Sequence, residues 1–502
     1  MNLTNEAFDL SKRNTNELKS FAKDARKELL KSVALKIKYV LSENSFERRE
    51  NPKAIIELEN KIKSSSKKEV IEEVSYTWFN RFIALQYMDI NGFNDVQVIL
   101  PIEGKIRPEI LSNAISGEFD SNYISENTRN IVSSLLDGRS PSNDPEKESY
   151  RLLLLSFCKK LHAKMPFLFS RISDYTELLI PDDLLSNESI LTKVRNVLTK
   201  ENCQDVEIIG WLYQFYISEK KEEVFSGLKN KKRINPNNIP AATQLFTPNW
   251  IVKYLVQNSL GSLWMLNNPN SNLIDQMEYY ISPKEFDNDF PIINSPEEIK
   301  LCDPACGSGH ILTYSFDLLY SIYEEVGYNP NKIPFLILKN NLVGIEIDKP
   351  AGALASFALF MKARRKQKNF FKNFVQPNIC VLENIKLETN EINQYFDVFG
   401  RDLFTNKFET TIRQFEESDN YGSLIQPALK DIKPIIETLQ SIEISNKLFN
   451  NRTHQIINKV LNQTKYLNQK YHIVIANPPY MAIKGMNKKL NIFLNKHFPD
   501  SK

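Results

Sequence analysis

Asp303-Pro304-Ala305-Cys306-Gly307-Ser308-Gly309-His310 joins a strand-like apolar run to a helical pattern, and this junction is the main indication of the fold. The apolar run is 299–302, and apolar residues recur at helical spacing over 311–323. The chain has only 15 glycines among 502 residues, and two of them fall in this turn. Without a Cβ, Gly307 and Gly309 let the backbone approach a ligand beside the unpaired N–H groups of a helix N-terminus. The pattern predicts a ligand-binding turn; a tight turn without a ligand is the simpler alternative.

The turn matches a dinucleotide-binding fingerprint only in part. That fingerprint has a third glycine or alanine three residues after the second, and Leu312 stands there. We therefore favour a different ligand.

Strand-like and helical patterns alternate through the second half of the chain. Short apolar runs occur at 299–302, 342–345, 379–382 and 471–476, with helical patterns at 311–323 and 351–363. This alternation is typical of a doubly wound α/β fold with a parallel sheet, and the scarcity of glycine argues against a turn-rich β-sandwich. The polar, helix-patterned residues 390–468 are interpreted as a helical insertion.

The first half is mainly helical. Amphipathic patterns cover 18–41, 69–87, 150–164, 183–199 and 207–222. Residues 1–228 are predicted to form a helical domain, and residues 243–502 are predicted to form the α/β domain. Residues 229–242 (KNKKRINPNNIPAA) are predicted to form a linker between them.

Composition excludes several classes of protein. Hydrophobic residues make up 42%, charged residues 25%, and the net charge is +3, which excludes a disordered or collagen-like chain and requires any nucleic-acid surface to be local. No apolar run approaches the roughly 18 residues of a membrane helix, and residues 1–14 lack a signal-peptide core. Five scattered cysteines argue against a disulfide framework. We expect a cytoplasmic protein without a membrane partner.

Two further motifs follow predicted strands. Glu346, in Gly344-Ile345-Glu346-Ile347-Asp348, is placed to accept the two ribose hydroxyls of a nucleoside, although an acidic strand end is often only a helix cap. Asn477-Pro478-Pro479-Tyr480 follows the run 471–476. Its prolines stiffen the backbone and leave the Asn477 amide oxygen and the Pro478 carbonyl free to accept from an NH2 group, while Tyr480 offers a stacking face.

The three motifs, in this order, resemble the N6-adenine DNA methyltransferases whose cofactor motifs precede the catalytic one. Thr243-Gln244-Leu245-Phe246-Thr247-Pro248 looks like the additional cofactor motif of that family. Residues 17–28 (ELKSFAKDARKE) and 78–88 (WFNRFIALQYM) are similar to the PglX-type enzymes of BREX phage-defence systems.

The resemblance implies a Rossmann-like fold and methyl transfer from S-adenosyl-L-methionine to N6 of an adenine flipped out of double-stranded DNA, in phage defence or restriction-modification. It implies no metal. It assigns catalysis to Asn477, Pro478, Pro479 and Tyr480. It assigns cofactor binding to Thr247, Pro248, Asp303, Pro304, Ala305, Gly307, Ser308, Gly309, Glu346, Ile347 and Glu383.

The chain departs from the family in three places. His472 stands where the family usually has an acidic residue, and the acidic residue expected after the third strand is represented only by Glu383 or by Asn384. The chain also ends 22 residues after Tyr480, whereas the family fold continues with further strands and a target-recognition region. We therefore expect an N-terminal fragment with an exposed edge strand, inactive by itself and completed by a second polypeptide.

Other functions stay open from the sequence. Asp95 with Glu103 and Lys105 after the apolar residues 96–100 has the spacing of a metal-dependent nuclease. A non-catalytic scaffold, or methylation of RNA or protein amides, is compatible with the same motifs. A zinc site at Cys302, Cys306 and His310 is disfavoured, because these positions span a strand end, a turn and a helix start.

Overall fold

The computed structural model describes residues 15–169, 175–229, 233–243, 247–283, 289–399, 406–441, 451–481 and 483–500. The chain divides into two compact units. The first comprises Met1–Glu219 and Phe360–Phe374, and the second comprises Lys220–Leu359 and Val375–Lys502. The sequence-based division at 228 differs, since it leaves residues 360–374 with the α/β domain.

The described part of the first unit is built from helices. Their bounds are α1 Thr15–Val40, α2 Phe46–Glu50, α3 Pro52–Ser64, α4 Lys67–Ile90, α5 Glu109–Ile115, α6 Glu126–Leu136, α7 Pro145–His162, α8 Ile190–Val197 and α9 Glu207–Lys229, whose last residues belong to the second unit. Helix α4 is central, because residues around its whole circumference are buried, including Trp78, Phe79 and Phe82.

One predicted helix, 183–199, is wrong in its first half. The helix α8 begins at Ile190, because the Ser189 hydroxyl accepts the backbone N–H of Thr192 and so caps it. The preceding residues turn instead, with the Asp183 carboxylate accepting the backbone N–H and the hydroxyl of Ser186.

The second unit contains a four-stranded parallel sheet, as the alternation of patterns predicted. Its strands are β1 Leu301–Asp303, β2 Leu342–Glu346, β3 Asn378–Val381 and β4 Ile473–Val474, in the order β3-β2-β1-β4. Strands β2 and β3 follow β1 on one side, and β4 pairs with β1 on the other side. The strand order therefore reverses between β1 and β4, where open parallel sheets bind ligands.

Further helices accompany the sheet in the described residues. Their bounds are α10 Ile239–Thr243, α11 Asn249–Val256, α12 Ser262–Asn267, α13 His310–Glu325, α14 Ile333–Leu336, α15 Lys349–Lys366, α16 Thr389–Phe399, α17 Asn406–Gln414, α18 Ser418–Tyr421, α19 Lys433–Ser441, α20 Asn451–Asn468 and α21 Lys488–His497. Helices α16 to α20 occupy the sequence between β3 and β4 and bury a hydrophobic cluster of their own, which includes Tyr395, Phe408 and Ile457.

The predicted linker contains ordered structure in its described part. Residues Pro236–Asn238 form a 3-10 helix and Ile239–Thr243 the helix α10. Ile234, Ile239 and Ala242 are buried in one cluster. The proline punctuation that suggested a linker marks helix starts here, because proline fits the first turn of a helix. No helix in the described part of the chain is long and apolar enough to cross a membrane.

Candidate functional site

The predicted motifs emerge at one edge of the sheet. Strand β4 lies parallel to β1, and the Ile475 N–H donates to the Cys302 carbonyl at 2.9 Å. The Cys306 N–H donates to the Ile345 carbonyl at 3.0 Å, which folds the glycine turn onto the end of β2. The turn after β1, the end of β2 and the segment after β4 therefore share the carboxyl edge of the strands.

The two glycines of the turn have different surroundings. Gly307 has φ of +54° and Gly309 has φ of +88°, both in the left-handed region that favours glycine. A Cβ built on Gly307 would meet no atom within 4 Å, whereas a Cβ on Gly309 would lie 3.0 Å from the Cα and Cβ of Ala355 in α15. Gly307 thus opens toward free space, and Gly309 allows the turn to pack against a helix.

Glu346 already receives three backbone hydrogen bonds. Its Oε2 accepts the Gly307 N–H at 2.7 Å, and its Oε1 accepts the N–H groups of Ile347 and Asp348, both at 2.9 Å. A carboxylate offers about four acceptor positions. One position is therefore left for a ribose hydroxyl, and the expected pair of ribose bonds requires one of these backbone bonds to give way.

Two buried carboxyl groups make this edge electrostatically unusual. Asp303, whose Oδ1 accepts the Ala305 N–H at 3.1 Å, has its pKa raised to about 7 by burial, with the charge of Glu346 adding to the effect. Burial also raises the pKa of Glu346 to about 7, and the nearby Asp348 adds to it. A positively charged ligand at this edge would stabilise both ionised forms.

Asn477 and Thr247 are brought together across 230 residues of sequence. The Asn477 Nδ2 donates to the Thr247 Oγ1 at 3.0 Å, and Thr247 is buried. With its amide NH2 directed to Thr247, Asn477 keeps Oδ1 as an acceptor. Thr247 was expected at the cofactor alone, so this contact with a candidate catalytic residue is new. Gln244, Leu245 and Phe246 of the same motif lie outside the described residues.

The rest of the catalytic motif is open to solvent. Pro248 and the two prolines 478 and 479 are exposed. Tyr480 has 73% of its surface exposed, so its ring is available for stacking on a ligand. Pro304, Ala305 and Ser308 are half-buried beside Gly307.

Glu383 and Asn384 are both engaged by the helices between β3 and β4. The Glu383 carboxylate forms an ion pair with Lys459, and its backbone N–H donates to the Gln463 Oε1 at 2.6 Å. The Asn384 Oδ1 accepts the Asp419 N–H at 3.0 Å. Binding of the cofactor by Glu383 remains a prediction. A cofactor in contact with the Glu383 carboxylate would compete with Lys459 for it.

His472 accepts a backbone hydrogen bond that a carboxylate could also accept. Its Nδ1 accepts the backbone N–H of Lys300 at 3.1 Å, at the start of the β1–β4 pairing. A carboxylate would accept the same bond. The departure from the family pattern at this position therefore leaves the strand pairing intact.

The nuclease hypothesis concerned the residues around the apolar run 96–100. Residues 96–100 are not a strand, because the N–H groups of residues 98, 99 and 100 all donate to the Asp89 Oδ2, at 2.9, 2.7 and 3.2 Å. Asp95 accepts the Tyr123 hydroxyl at 3.0 Å, and Glu103 is exposed in a turn. The apolar run thus forms a loop around a buried carboxylate.

The cysteines near the glycine turn are buried thiols. Burial raises the pKa of the Cys302 thiol to about 12 and raises that of Cys306 as well. Within the described ranges, no cluster of three or more His, Cys, Asp or Glu side chains is arranged to hold a metal ion.

Sequence reasoning missed a connection between α18 and α21. The Asn487 Nδ2 donates to the Asn420 Oδ1 at 2.7 Å. The ring of Tyr421 stacks on that of Phe493, with 4.1 Å between the ring centroids. Gly422, next in the chain, lies against Ile347, since a Cβ there would be 3.2 Å from the Ile347 Cγ2. Asn487 caps α21, and a cap before a helical pattern is the one signal that could have drawn attention to it.

Comparison with known proteins finds a family that matches part of the chain. Residues 340–502 match the Eco57I restriction-modification methylase family. The chain is 38% identical over 466 residues to the adenine-specific methyltransferase BrxX of Escherichia coli O9:H4 (strain HS), covering 86% of this chain and 38% of that protein. It is 30% identical over 538 residues to the adenine-specific methyltransferase PglX of Lacticaseibacillus casei (strain Zhang), covering 97% of this chain and 44% of that protein.

A more distant match is a putative type II restriction enzyme and methyltransferase of Methanocaldococcus jannaschii, 24% identical over 217 residues, with 36% of this chain and 17% of that protein covered. The chain spans about two fifths of the length of BrxX and PglX, with 38% and 44% of those proteins covered. The resemblance to PglX-type enzymes predicted from the motifs is confirmed. The chain is thus a relative of the adenine-specific methyltransferases BrxX and PglX.

Proposed function

We propose that this chain binds S-adenosyl-L-methionine at the glycine turn and holds an adenine of double-stranded DNA at residues 477–480 for methylation of its N6 atom. The proposed setting is phage defence or restriction-modification. The observation that carries the proposal is the bond between Asn477 and Thr247, which joins the candidate catalytic motif to the candidate cofactor motif at the sheet edge where the strand order reverses.

The residues at this edge fit the proposed cofactor. The open side of Gly307 admits a ligand against the backbone, and Glu346 keeps one acceptor position for a ribose hydroxyl. The raised pKa values of Asp303 and Glu346, both caused by burial, favour a cationic partner. When bound, S-adenosyl-L-methionine supplies an electrophilic methyl group on a positively charged sulfur.

Asn477 acts on the nucleophile. The N6 lone pair of adenine is delocalised into the ring, so the nitrogen is a poor nucleophile. The Asn477 Oδ1 and the Pro478 carbonyl each accept one N6 hydrogen, which favours a pyramidal nitrogen with its lone pair released. Thr247 positions Asn477 by accepting its NH2 group, and Tyr480 stacks on the base. Catalysis then comes mainly from alignment of two held reactants, for which effective molarities reach about 10⁵ M or more.

Calorimetry and methyl transfer test these roles separately. We expect Asn477→Ala and Tyr480→Ala to keep the affinity for S-adenosyl-L-methionine and to lose transfer of a labelled methyl group to adenine in duplex DNA. Tyr480→Phe is the matched control, because it keeps the stacking face. Loss of cofactor binding in both alanine variants would refute the division of roles.

The open edge of β4 suits a further strand. Among the described strands, β4 pairs only with β1, and Val474 has 61% of its surface exposed. We propose that a second polypeptide segment adds strands here, as an unpaired edge is a template for strand addition. Calorimetry with S-adenosyl-L-methionine in the presence and absence of such a polypeptide tests this, with tighter binding expected in its presence.

A further inference from the structure

The end of α15 and the turns after it carry a concentrated positive charge. Residues 349–382 contain seven lysines and arginines and no aspartate or glutamate, in a chain whose net charge is only +3. All but the first of these cations lie in Phe360–Phe374, the segment that is grouped with the first unit. They are Lys362, Arg364, Arg365, Lys366, Lys368 and Lys372, and together with Lys164 they are called the basic face below.

Helix geometry accounts for only part of this charge. Arg364, Arg365 and Lys366 lie in the last turn of α15, where cations interact favourably with the negative end of the helix dipole. That effect falls off within the last turn. Lys368 and Lys372 lie beyond the helix end and are both exposed, so the dipole does not explain them.

Lys362 and Arg365 differ in the partners that they bond. Lys362 pairs with Asp205 at 3.1 Å. The Arg365 guanidinium bonds to uncharged oxygens, which are the backbone carbonyl of Gln204, the hydroxyl of Tyr87 and the side-chain carbonyl of Asn91.

Two cations share one aromatic ring. The Arg364 guanidinium lies 5.1 Å from the centroid of Phe371 and 5.3 Å from that of Phe93, and the Lys164 ammonium lies 5.5 Å from Phe371. The buried Nε of Arg364 has no hydrogen-bond partner. Burial lowers the pKa of the Arg364 guanidinium and of the Lys164 ammonium, and the charge of Arg364 lowers the pKa of Lys164 further. The charge of Asp95 opposes the shift of both groups, and the charge of Asp120 opposes that of Lys164. Cations clustered in this way, with Lys368 and Lys372 exposed to solvent, produce a positive potential at this face.

We propose that the basic face binds the phosphate backbone of double-stranded DNA. This proposal rests on the proposed function, because it names the surface that would hold the DNA substrate. A membrane surface fits less well, since none of the residues 360–374 is a large exposed apolar side chain that could insert between lipids. Lysines provide point charges for phosphates without reading base sequence, so the contribution is independent of sequence.

The test is the salt dependence of DNA binding by the full chain. The patch variant is Lys368→Gln with Lys372→Gln, and the control variant is Lys67→Gln with Lys68→Gln. Both control lysines are exposed in the first turn of α4, whose other end reaches Tyr87 beside Arg365. At 1.5 Å per residue, the control charges lie about 30 Å away from that end. Each double variant removes two positive charges from the surface of the first unit.

Fluorescence anisotropy with a labelled 20-base-pair duplex, without cofactor, measures the affinity between 50 and 200 mM salt, conditions in which phosphate contacts dominate. Each phosphate contact contributes about −0.9 to the slope of log K against log salt. We expect the patch variant to reduce the magnitude of the slope by about two and to weaken binding by up to roughly eightfold per contact at 0.1 M salt. The control variant is expected to keep the wild-type slope.

An unchanged slope in the patch variant, or an equal reduction in both variants, overturns the proposal. So does unchanged DNA binding combined with lost binding to poly-glutamate, which would assign the face to an acidic protein. Calorimetry with S-adenosyl-L-methionine in the absence of DNA gives a separate result. If cofactor binding is absent but the slope changes as expected, the proposed methyl transfer fails and the DNA surface stands.

Discussion

Gly307 and Gly309 look equivalent in the sequence, but replacing each by alanine should have different consequences. Both adopt positive φ, where a non-glycine residue costs about 1–2 kcal/mol. At Gly307 the new methyl group meets no atom within 4 Å, so we expect a loss of only about 1–2 kcal/mol in the free energy of unfolding. At Gly309 it lies 3.0 Å from the Cα and Cβ of Ala355, and this overpacking adds about 1–3 kcal/mol.

Affinity for the cofactor should show the opposite order. The methyl group of Gly307→Ala occupies the space through which a ligand would approach the backbone, so we expect about tenfold or greater weakening of S-adenosyl-L-methionine binding, or at least 1.4 kcal/mol. Gly309→Ala points its methyl group at α15 instead, and its folded fraction should bind with nearly wild-type affinity.

Urea unfolding measures the two stabilities, and calorimetry at low temperature, where both variants are folded, measures the two affinities. The reasoning would be refuted if Gly307→Ala destabilised the protein as much as Gly309→Ala, or if Gly309→Ala alone lost cofactor binding. The first result would mean that a methyl group at Gly309 is not overpacked against Ala355, and the second that the open side of the turn is not the ligand side.

Three other predictions concern stability. Burial raises the pKa of Asp303 and of Glu346 to about 7, so the folded state binds more protons than the unfolded state between about pH 4 and 7. The free energy of unfolding should therefore fall as pH rises through this window and level off above it. Urea titrations at several pH values measure this curve, and Asp303→Asn should flatten it. Asn487→Ala removes the cap that accepts the Leu490 N–H at 2.9 Å and should cost about 1–2 kcal/mol in thermal unfolding, whereas Asn487→Asp, which keeps the cap oxygen, should cost less. Asp89→Ala leaves three backbone N–H groups without their acceptor and should cost about 3 kcal/mol or more in urea unfolding; a loss below about 1 kcal/mol would show that water replaces the carboxylate.

The local features of this protein could be predicted from its residues alone. Alternating apolar runs and helical patterns predicted the parallel strands, because each strand and helix is encoded by the periodicity of its own residues. The glycine turn was predicted because two of the few glycines fall between a strand-like run and a helical pattern, and the structure places both at positive φ, which favours glycine. The family resemblance rested on the same kind of short motif.

The contacts between residues far apart in the chain could not be predicted in this way. The pairing of Asn477 with Thr247, the packing of Gly309 on Ala355 and the grouping of residues 360–374 with the helical unit join segments that no local pattern connects. The start of α8 at Ile190 shows the same limit, because a competing serine cap outweighed an extended apolar pattern. Periodicity specifies which face of an element is buried, but the partner of that face depends on how the whole chain packs.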